Sequence, residues 1–441
     1  MKDLKHLIYF ENLLQEANNE LVQQAVKEGK KAIGYTCFHT PEVLLNLGDC
    51  FSVRLRAPRT GSMDIATYYL SNFLCGYCKA LLERGIEGGY NFLSAILTSE
   101  TCSEMNRSME HFKLLNLIPN DKFFIDFIDM PFKTSENALE LYVSQIRTKM
   151  LQPLHDVYGV DISRESIEKA VELHNKVCHL ITEIGEFRKE ENPRITGYEF
   201  HVLSIASYCC PKYLIVDKLE ETLEELKTRE PDKKKKYRAK IVVVGSEMDD
   251  PDFTKIIEDS GALVVADRYC FGSLPGREQI ILKDDEDPVV TICKHYLEVS
   301  QCPRYMEHKK VEGRREYVAQ LVKDYHADGV IYEQIKFCEY WGYERAIASH
   351  VLVKDFDIPA IAIDRQYTAS ASGQLRTRVQ AFVESLEIKK IQKAKEAKKK
   401  KKKKRKNTAD TEICTLKSPT FFATANGADS RIRCTTIIAG S

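Results

Sequence analysis

Eight short, near-continuous apolar runs, most of them separated by segments with helical spacing, constrain this chain more than any other feature. Four lie near the start: KAIGYTC (31–37), FSVRLR (51–56), FLSAILTSE (92–100) and KFFIDFIDM (122–130). Four more lie in the second half: AKIVVVGSE (239–247), ALVVADR (262–268), GVIYEQIKF (329–337) and IPAIAIDRQ (358–366). Runs without polar alternation suit strands covered on both faces, and their spacing with helical segments is the signature of βαβ units. The expected fold class is therefore α/β, with two related parallel sheets facing a cleft. The quartets match in detail. The third run of each closes on a cysteine, Cys102 or Cys338, and the fourth carries an acidic residue near its end, Asp129 or Asp364.

The remaining segments follow from periodicity. The N-terminus reads as an amphipathic helix, with Leu4, Leu7, Ile8, Leu13 and Leu14 on or near one face. It is too charged past residue 10 for a signal peptide. Residues 136–229 are helical in pattern, with Ser163 as an expected N-cap. A polar connector, 229–240, leads into the second sheet, and GQLRTRVQAFVESLEIKKIQ reads as a closing helix. The expected division is 1–150 for the first helix and α/β domain, 151–235 for the helical region and connector, 236–388 for the second α/β domain, and 389–441 for a tail.

Charge sorts along the chain. The net charge is zero, yet residues 389–406 carry 13 Lys or Arg and one Glu. That run is low in complexity and is expected to be disordered. Its excess leaves the body, 1–388, at about −12, which argues against a nucleic-acid-binding body. No run of 18 apolar residues occurs, so no transmembrane helix is expected.

Fourteen cysteines without a secretory signal point to a reducing cytoplasm rather than a disulfide scaffold. Cys75 and Cys102 stand 27 residues apart, and Cys338 follows the seventh strand-like run. If strands in parallel sheets precede Cys102 and Cys338, their thiols meet at one edge, where α/β proteins place their chemistry. Soft thiolates in an apolar setting suit an iron–sulfur cluster or zinc. Three ligands instead of four would leave one iron open.

Cys75 and Cys78 form a CxxC, which also fits a zinc half-site, a redox pair or two core thiols. Cys37 and His39 end the first strand-like run, and Cys270 follows the sixth; these are further candidates for the same cleft. A lone loop histidine is more often a surface residue than a functional one. Cys50, Cys178, Cys209, Cys210, Cys293 and Cys302 read as structural. No GxxxxGK[ST], GxGxxG, GxSxG or HExxH occurs, so the chain is not expected to hydrolyse ATP itself.

An ordered set of segments carries a family resemblance. It comprises GYTCFHTPEVL (34–44), VRLR (53–56), the step from Cys75 to Cys102 through ETC, and VVVGSEMDDPDF (242–253). It continues with VVADRYCFGS (264–273), IKFCEYWGYE (335–344) and IPAIAIDRQYTASASGQLRTRVQAF (358–382). In these the chain resembles the D-component type of the 2-hydroxyacyl-CoA dehydratase family, which also contains ATP-dependent benzoyl-CoA reductase subunits and double-cubane cluster proteins. The resemblance spans about residues 20–386. It implies two Rossmann-like sheets and a [4Fe–4S] cluster on Cys75, Cys102 and Cys338 with a non-cysteine fourth ligand. It further implies an acyl-CoA substrate, a homologous subunit in a heterodimer or homodimer, and a separate ATP-dependent [4Fe–4S] activator. The implied reaction is loss of water from a 2-hydroxyacyl-CoA through a ketyl radical, in anaerobic metabolism. Two departures stand out. Many members have CP at the first ligand, where this chain has Cys75-Gly76, and the chain adds Cys78. With Cys37 and Cys270, six cysteines become available, so a reductase with a double-cubane [8Fe–9S] cluster is the alternative. A non-catalytic cluster-binding scaffold subunit is a third.

Overall fold

The structure, a computed structural model, describes residues 2–57, 60–232, 235–273, 277–368 and 372–415. Each apolar run forms a strand. In chain order these are β1 Lys31–Tyr35, β2 Cys50–Arg54, β3 Ala95–Ser99, β4 Phe124–Ile128, β5 Ala239–Gly245, β6 Ala262–Tyr269, β7 Gly329–Ile335 and β8 Ala360–Arg365. They build two four-stranded sheets, ordered β2-β1-β3-β4 and β6-β5-β7-β8, with every pairing parallel. The two orders are the same, so the repeat seen in the sequence is a repeat of topology. In each sheet the order reverses beside the first strand, between β1 and β3 and between β5 and β7. That switch point is where an open α/β sheet leaves a crevice beyond its carboxyl ends.

Why these runs make strands is plain in the packing. Successive residues face opposite sides. Ala32, Phe51, Val53 and Ile96 join one apolar cluster, while Ile33, Tyr35, Ala95 and Leu97 join another. In the second sheet Ile241, Val243, Val264 and Ile331 face one cluster, and Val242, Val244, Val265 and Val330 face the other. Burying each such side chain stabilises the fold by roughly 1.5–3 kcal/mol. With both faces covered, a polar alternation would have left unpaired groups inside.

The described residues up to Glu387 form one compact unit, and those from Ile388 to Thr415 belong to a second. The region between the sheets is helical, including Arg164–Glu186, whose N-cap Ser163 accepts from the Ser166 amide as expected. One helix there, Gly197–Cys209, falls inside the expected helical stretch but has no period of its own in the sequence. Nearly all its residues are buried, so it lacks a polar face and the period that would mark it. The N-terminal helix is shorter than expected, Leu7–Leu13, and it buries Phe10 while Ile8 is 69% exposed.

The closing helix packs Leu375, Val379, Phe382, Val383 and Leu386 against the second sheet. It then departs from the expectation of disorder for the tail: helical backbone runs from Ser372 to Thr415, through the lysine-rich run. Lysine is a good helix former despite its charge, so a low-complexity lysine run can propagate a helix already nucleated by packing. Residues 416–441 lie outside the described residues. No helix among the described residues is long and apolar enough to cross a membrane.

Candidate metal centre at the facing sheet edges

The carboxyl ends of the two sheets meet. From β2, Arg54 reaches across, its Nη2 donating to both carboxylate oxygens of Glu247 at 3.2 Å and its Nη1 to the carbonyl of Cys270 at 2.5 Å. Arg56 donates to the Asp249 carbonyl through Nη2 at 2.6 Å and Nε at 2.9 Å. Tyr367, after β8, donates to the Asp249 carboxylate at 2.5 Å. Arg54 and Arg56 are almost fully buried. A buried guanidinium needs such partners to offset its lost hydration.

Three cysteines expected to matter lie in equivalent local settings. Cys75, Cys102 and Cys338 are each the N-cap residue of a helix: Gly76–Ile86, Ser103–Leu114 and Glu339–Asp355. Cys102 follows the end of β3 by three residues, and Cys338 follows the end of β7 by three. Helix N-termini offer unpaired amides and a partial positive charge, which favour thiolate over thiol. The effect is visible at Cys102, lowered to about 7 by a hydrogen bond from the Cys78 thiol and by the amides of Met105 and Glu104, against burial. Cys338 is pushed up by burial first and then by the neighbouring Cys75 and Cys102 sulfurs, while the Trp341 amide pulls it down. Cys78 is pushed up because its proton is shared with the Cys102 and Cys75 sulfurs, burial adding to this. Thiols that oppose one another's ionisation in this way are neighbours.

The tightest part of the group is Cys75, Cys78 and Glu104, whose ligand atoms lie within 4.8 Å of one another. Cys75 and Cys78 belong to an apolar cluster against which Cys102 and Cys338 pack. The CxxC opens a helix, though not directly after a strand: a short turn of helix, Ala66–Tyr69, and a turn in which the Leu74 amide donates to the Ser71 carbonyl precede it. Phe337, next to Cys338, holds a left-handed backbone with φ +70°, a conformation costly for an aromatic residue. Its ring meets Phe73 edge-on at 5.9 Å, an exposed contact between one aromatic from each half.

Gly76 explains one departure from the family pattern. A Cβ at this position would lie 2.7 Å from Cβ of Tyr367. The contact is with the stem of that side chain, so it cannot swing away. Gly76→Ala is therefore expected to cost about 1–3 kcal/mol as overpacking and to push Cys75 off the other thiols. A denaturant midpoint unchanged from the parent chain would contradict this.

The other candidates sit beside this group. His39 is buried, with Nε2 2.9 Å from the Ser300 hydroxyl and Nδ1 3.5 Å from the Cys37 sulfur. Burial, with Arg304 and Arg54 nearby, holds it well below the usual histidine range, so it is neutral. Burial pushes the Cys37, Cys270 and Cys302 thiols up, and the Cys37 sulfur adds to this at Cys270 and Cys302. Cys178 touches His174 at 3.4 Å, and His174 faces Glu42 at 3.5 Å within a buried network that includes the Glu42–Lys212 pair.

Two groups escaped the sequence reading. Glu104 stands two residues after Cys102 in the first helical turn; its Oε2 is buried without a hydrogen-bond partner, and burial followed by the Cys102 charge raises it to about 8. Glu247 is raised from 4.5 to about 7, burial outweighing Arg54. Because its folded value lies above the unfolded one, the stability it contributes is complete below about pH 4.5 and is lost as pH rises through 7. Glu247 should account for a loss on the order of 2 kcal/mol across that window in the metal-free chain, and Glu247→Gln should lose less than the parent by about that amount. Parallel melting profiles of the two from pH 5 to pH 8 would refute the assignment.

Comparison with known proteins places this geometry in a family. Residues 37–386 match the family described as 2-hydroxyglutaryl-CoA dehydratase, D-component. The chain belongs to the D-component family. It is 25% identical over 381 residues to the (R)-phenyllactyl-CoA dehydratase beta subunit of Clostridium sporogenes, covering 86% of this chain and 97% of that one. It is 23% identical over 364 residues to subunit beta of (R)-2-hydroxyglutaryl-CoA dehydratase of Acidaminococcus fermentans, covering 81% and 93%. A benzoyl-CoA reductase subunit of Thauera aromatica is 18% identical over 362 residues, covering 81% and 92%. The dehydratases and the reductase named here are multi-subunit enzymes, and the resemblance drawn from the sequence motifs holds across the body of this D-component chain.

Proposed function

We propose that this chain is the iron–sulfur subunit of a 2-hydroxyacyl-CoA dehydratase, holding a [4Fe–4S] cluster on Cys75, Cys102 and Cys338. One observation carries the reading: cysteines from both sheets converge, each at a helix N-terminus, in an apolar setting. Thiolates in that setting fit an iron–sulfur cluster by donor softness. The buried, unpartnered Glu104 Oε2 beside them is a polar atom left waiting for a neighbour, and it too fits a group between the thiols. When bound, such a cluster supplies the one-electron chemistry needed to expel a hydroxyl from the 2-position of an acyl-CoA.

The residues of the chain hold and shield that group. The helix amides favour thiolate, the apolar cluster behind Cys75 and Cys78 keeps water from that side, and the Arg54–Glu247 pair ties one sheet edge to the other. An electron of low potential has to be driven in by ATP. The chain lacks a phosphate loop, so a separate ATP-dependent [4Fe–4S] activator is part of the proposal, as is a homologous partner subunit. The twelve described cysteines are free, which supports a reducing cytoplasm.

The test is anaerobic reconstitution with a homologous subunit, activator, ATP and reductant, followed by assay against a panel of 2-hydroxyacyl-CoA thioesters. Turnover with about four irons per chain is expected. No turnover on any member would count against the dehydratase. A second reading, an ATP-dependent reductase with a double-cubane cluster, is motivated by the additional cysteines Cys37, Cys78 and Cys270. About eight irons per chain, lost on Cys37→Ala or Cys270→Ala, would select it.

A further inference from the structure

We infer that Cys78 supplies a fourth thiolate, so that the cluster on this chain is fully ligated by cysteine and leaves no iron for substrate. The inference rests on the reading that a cubane cluster is bound here, and it replaces the non-cysteine fourth ligand that the resemblance implies.

Four observations carry it. Cys78 is 2% exposed, and its sulfur lies within 4.8 Å of both Cys75 Sγ and a Glu104 oxygen. It belongs to the same apolar cluster as Cys75, and Cys102 and Cys338 pack against that cluster. Residues three apart share a helix face, which puts Cys75 and Cys78 side by side at the start of Gly76–Ile86. That turn is also fixed to the helix carrying Cys102: Ser108 Oγ donates to the Cys78 carbonyl at 2.8 Å. Cys78 is therefore held at the site by the same two helices that present Cys75 and Cys102.

Glu104 competes for the same position. A carboxylate is a hard oxygen donor, and iron–sulfur clusters are held by soft thiolates. Between two side chains at similar range, the thiolate is preferred.

The consequence is a division of labour. A cluster with four thiolates can take up one electron from an external low-potential reductant and pass the same electron on, with no bond made or broken at its irons. It has no vacant position for a substrate oxygen. The acyl thioester would then be bound and activated on the partner chain, and this chain would relay the electron.

The experiment uses the full chain with its cluster assembled under anaerobic conditions. Mössbauer spectra of the parent protein should show no iron distinct from the other three. Its paramagnetic resonance spectrum should not shift on adding cyanide or a 2-hydroxyacyl-CoA. Cys78→Ala should keep a cluster on three cysteines and should now shift with cyanide, while Glu104→Gln should match the parent. One distinct iron in the parent, or a parent spectrum that shifts with either probe, overturns the inference even if Cys78→Ala fails to fold. A shifted Glu104→Gln spectrum overturns it in favour of the carboxylate. A parent chain that binds no iron removes the underlying cluster reading instead, and so is distinguishable from these outcomes.

Discussion

Replacing Cys102 or Cys338 by serine is expected to abolish the brown colour and remove most of the iron, each alone. The two residues occupy matching places, three positions past β3 and past β7, so under the proposed assignment each contributes a ligand from a different sheet. Serine keeps the size and the N-cap geometry of the site, but it exchanges a soft thiolate for a weakly binding hydroxyl. The helix starts should therefore survive while metal binding does not. Because a group bound only to the folded state adds stability by mass action, each variant should also melt earlier than the loaded parent and at about the temperature of the metal-free parent. Cys293→Ala provides the control: Cys293 is buried in a different apolar cluster, behind the first sheet. It should lose packing energy and keep its iron. Full iron in Cys102→Ser or Cys338→Ser, with loss in Cys293→Ala, would show that the ligands have been misplaced.

The second large effect is expected at Arg54. It is 1% exposed, pairs with Glu247 at 3.2 Å, donates to the Cys270 carbonyl and lies over the Phe271 ring at 4.1 Å. Removing one member of a buried pair leaves the other charge without a partner, at a cost of about 3–5 kcal/mol. Against a total of about 5–15 kcal/mol for a folded domain, Arg54→Ala should bring the metal-free chain close to its unfolding threshold. The measurement is best made at pH 8, above the Glu247 value of about 7 in the parent; losing Arg54 raises that carboxyl further. The double variant Arg54→Met with Glu247→Leu should recover most of the loss, because both charges are gone and much of the volume is kept. If the double variant is as unstable as Arg54→Ala, the loss comes from packing around Arg54 and not from the stranded carboxylate.

Much of the fold was legible because burial on both faces left its mark in the composition of eight runs. The parallel sheets, the duplicated order and the Ser163 cap all follow from local pattern. Helix Gly197–Cys209 did not, since an element buried all round has no polar face to set a period. Ile8 and Phe10 misled in the other direction: both are apolar, and only packing on the rest of the chain decides which one points inward. The lysine-rich run was read from charge, while its backbone follows the helix that enters it.

The site was legible in part for the same reason. Cys102 and Cys338 were marked by their place after matching strands, and Cys75 by the family motif. The cross-cleft partners were not, because Arg54 and Glu247 lie 193 positions apart and nothing local links them. Glu104 looked like an ordinary acidic residue in a first helical turn, and its burial becomes visible only with the Cys75 helix beside it.

The interleaving of ligands along the chain also has a consequence in time. Cys75, Cys78 and Cys102 precede Cys338 by more than half the length of the protein. At roughly 5–20 residues per second, a ribosome needs on the order of 12–47 s to travel from Cys102 to Cys338. For that interval the first sheet has its thiols in place while the wall that will cover them has yet to emerge. A nascent chain in this state presents an incomplete, accessible set of sulfurs. If these thiols hold the proposed cluster, the order of synthesis gives it an interval for loading before the second sheet is complete.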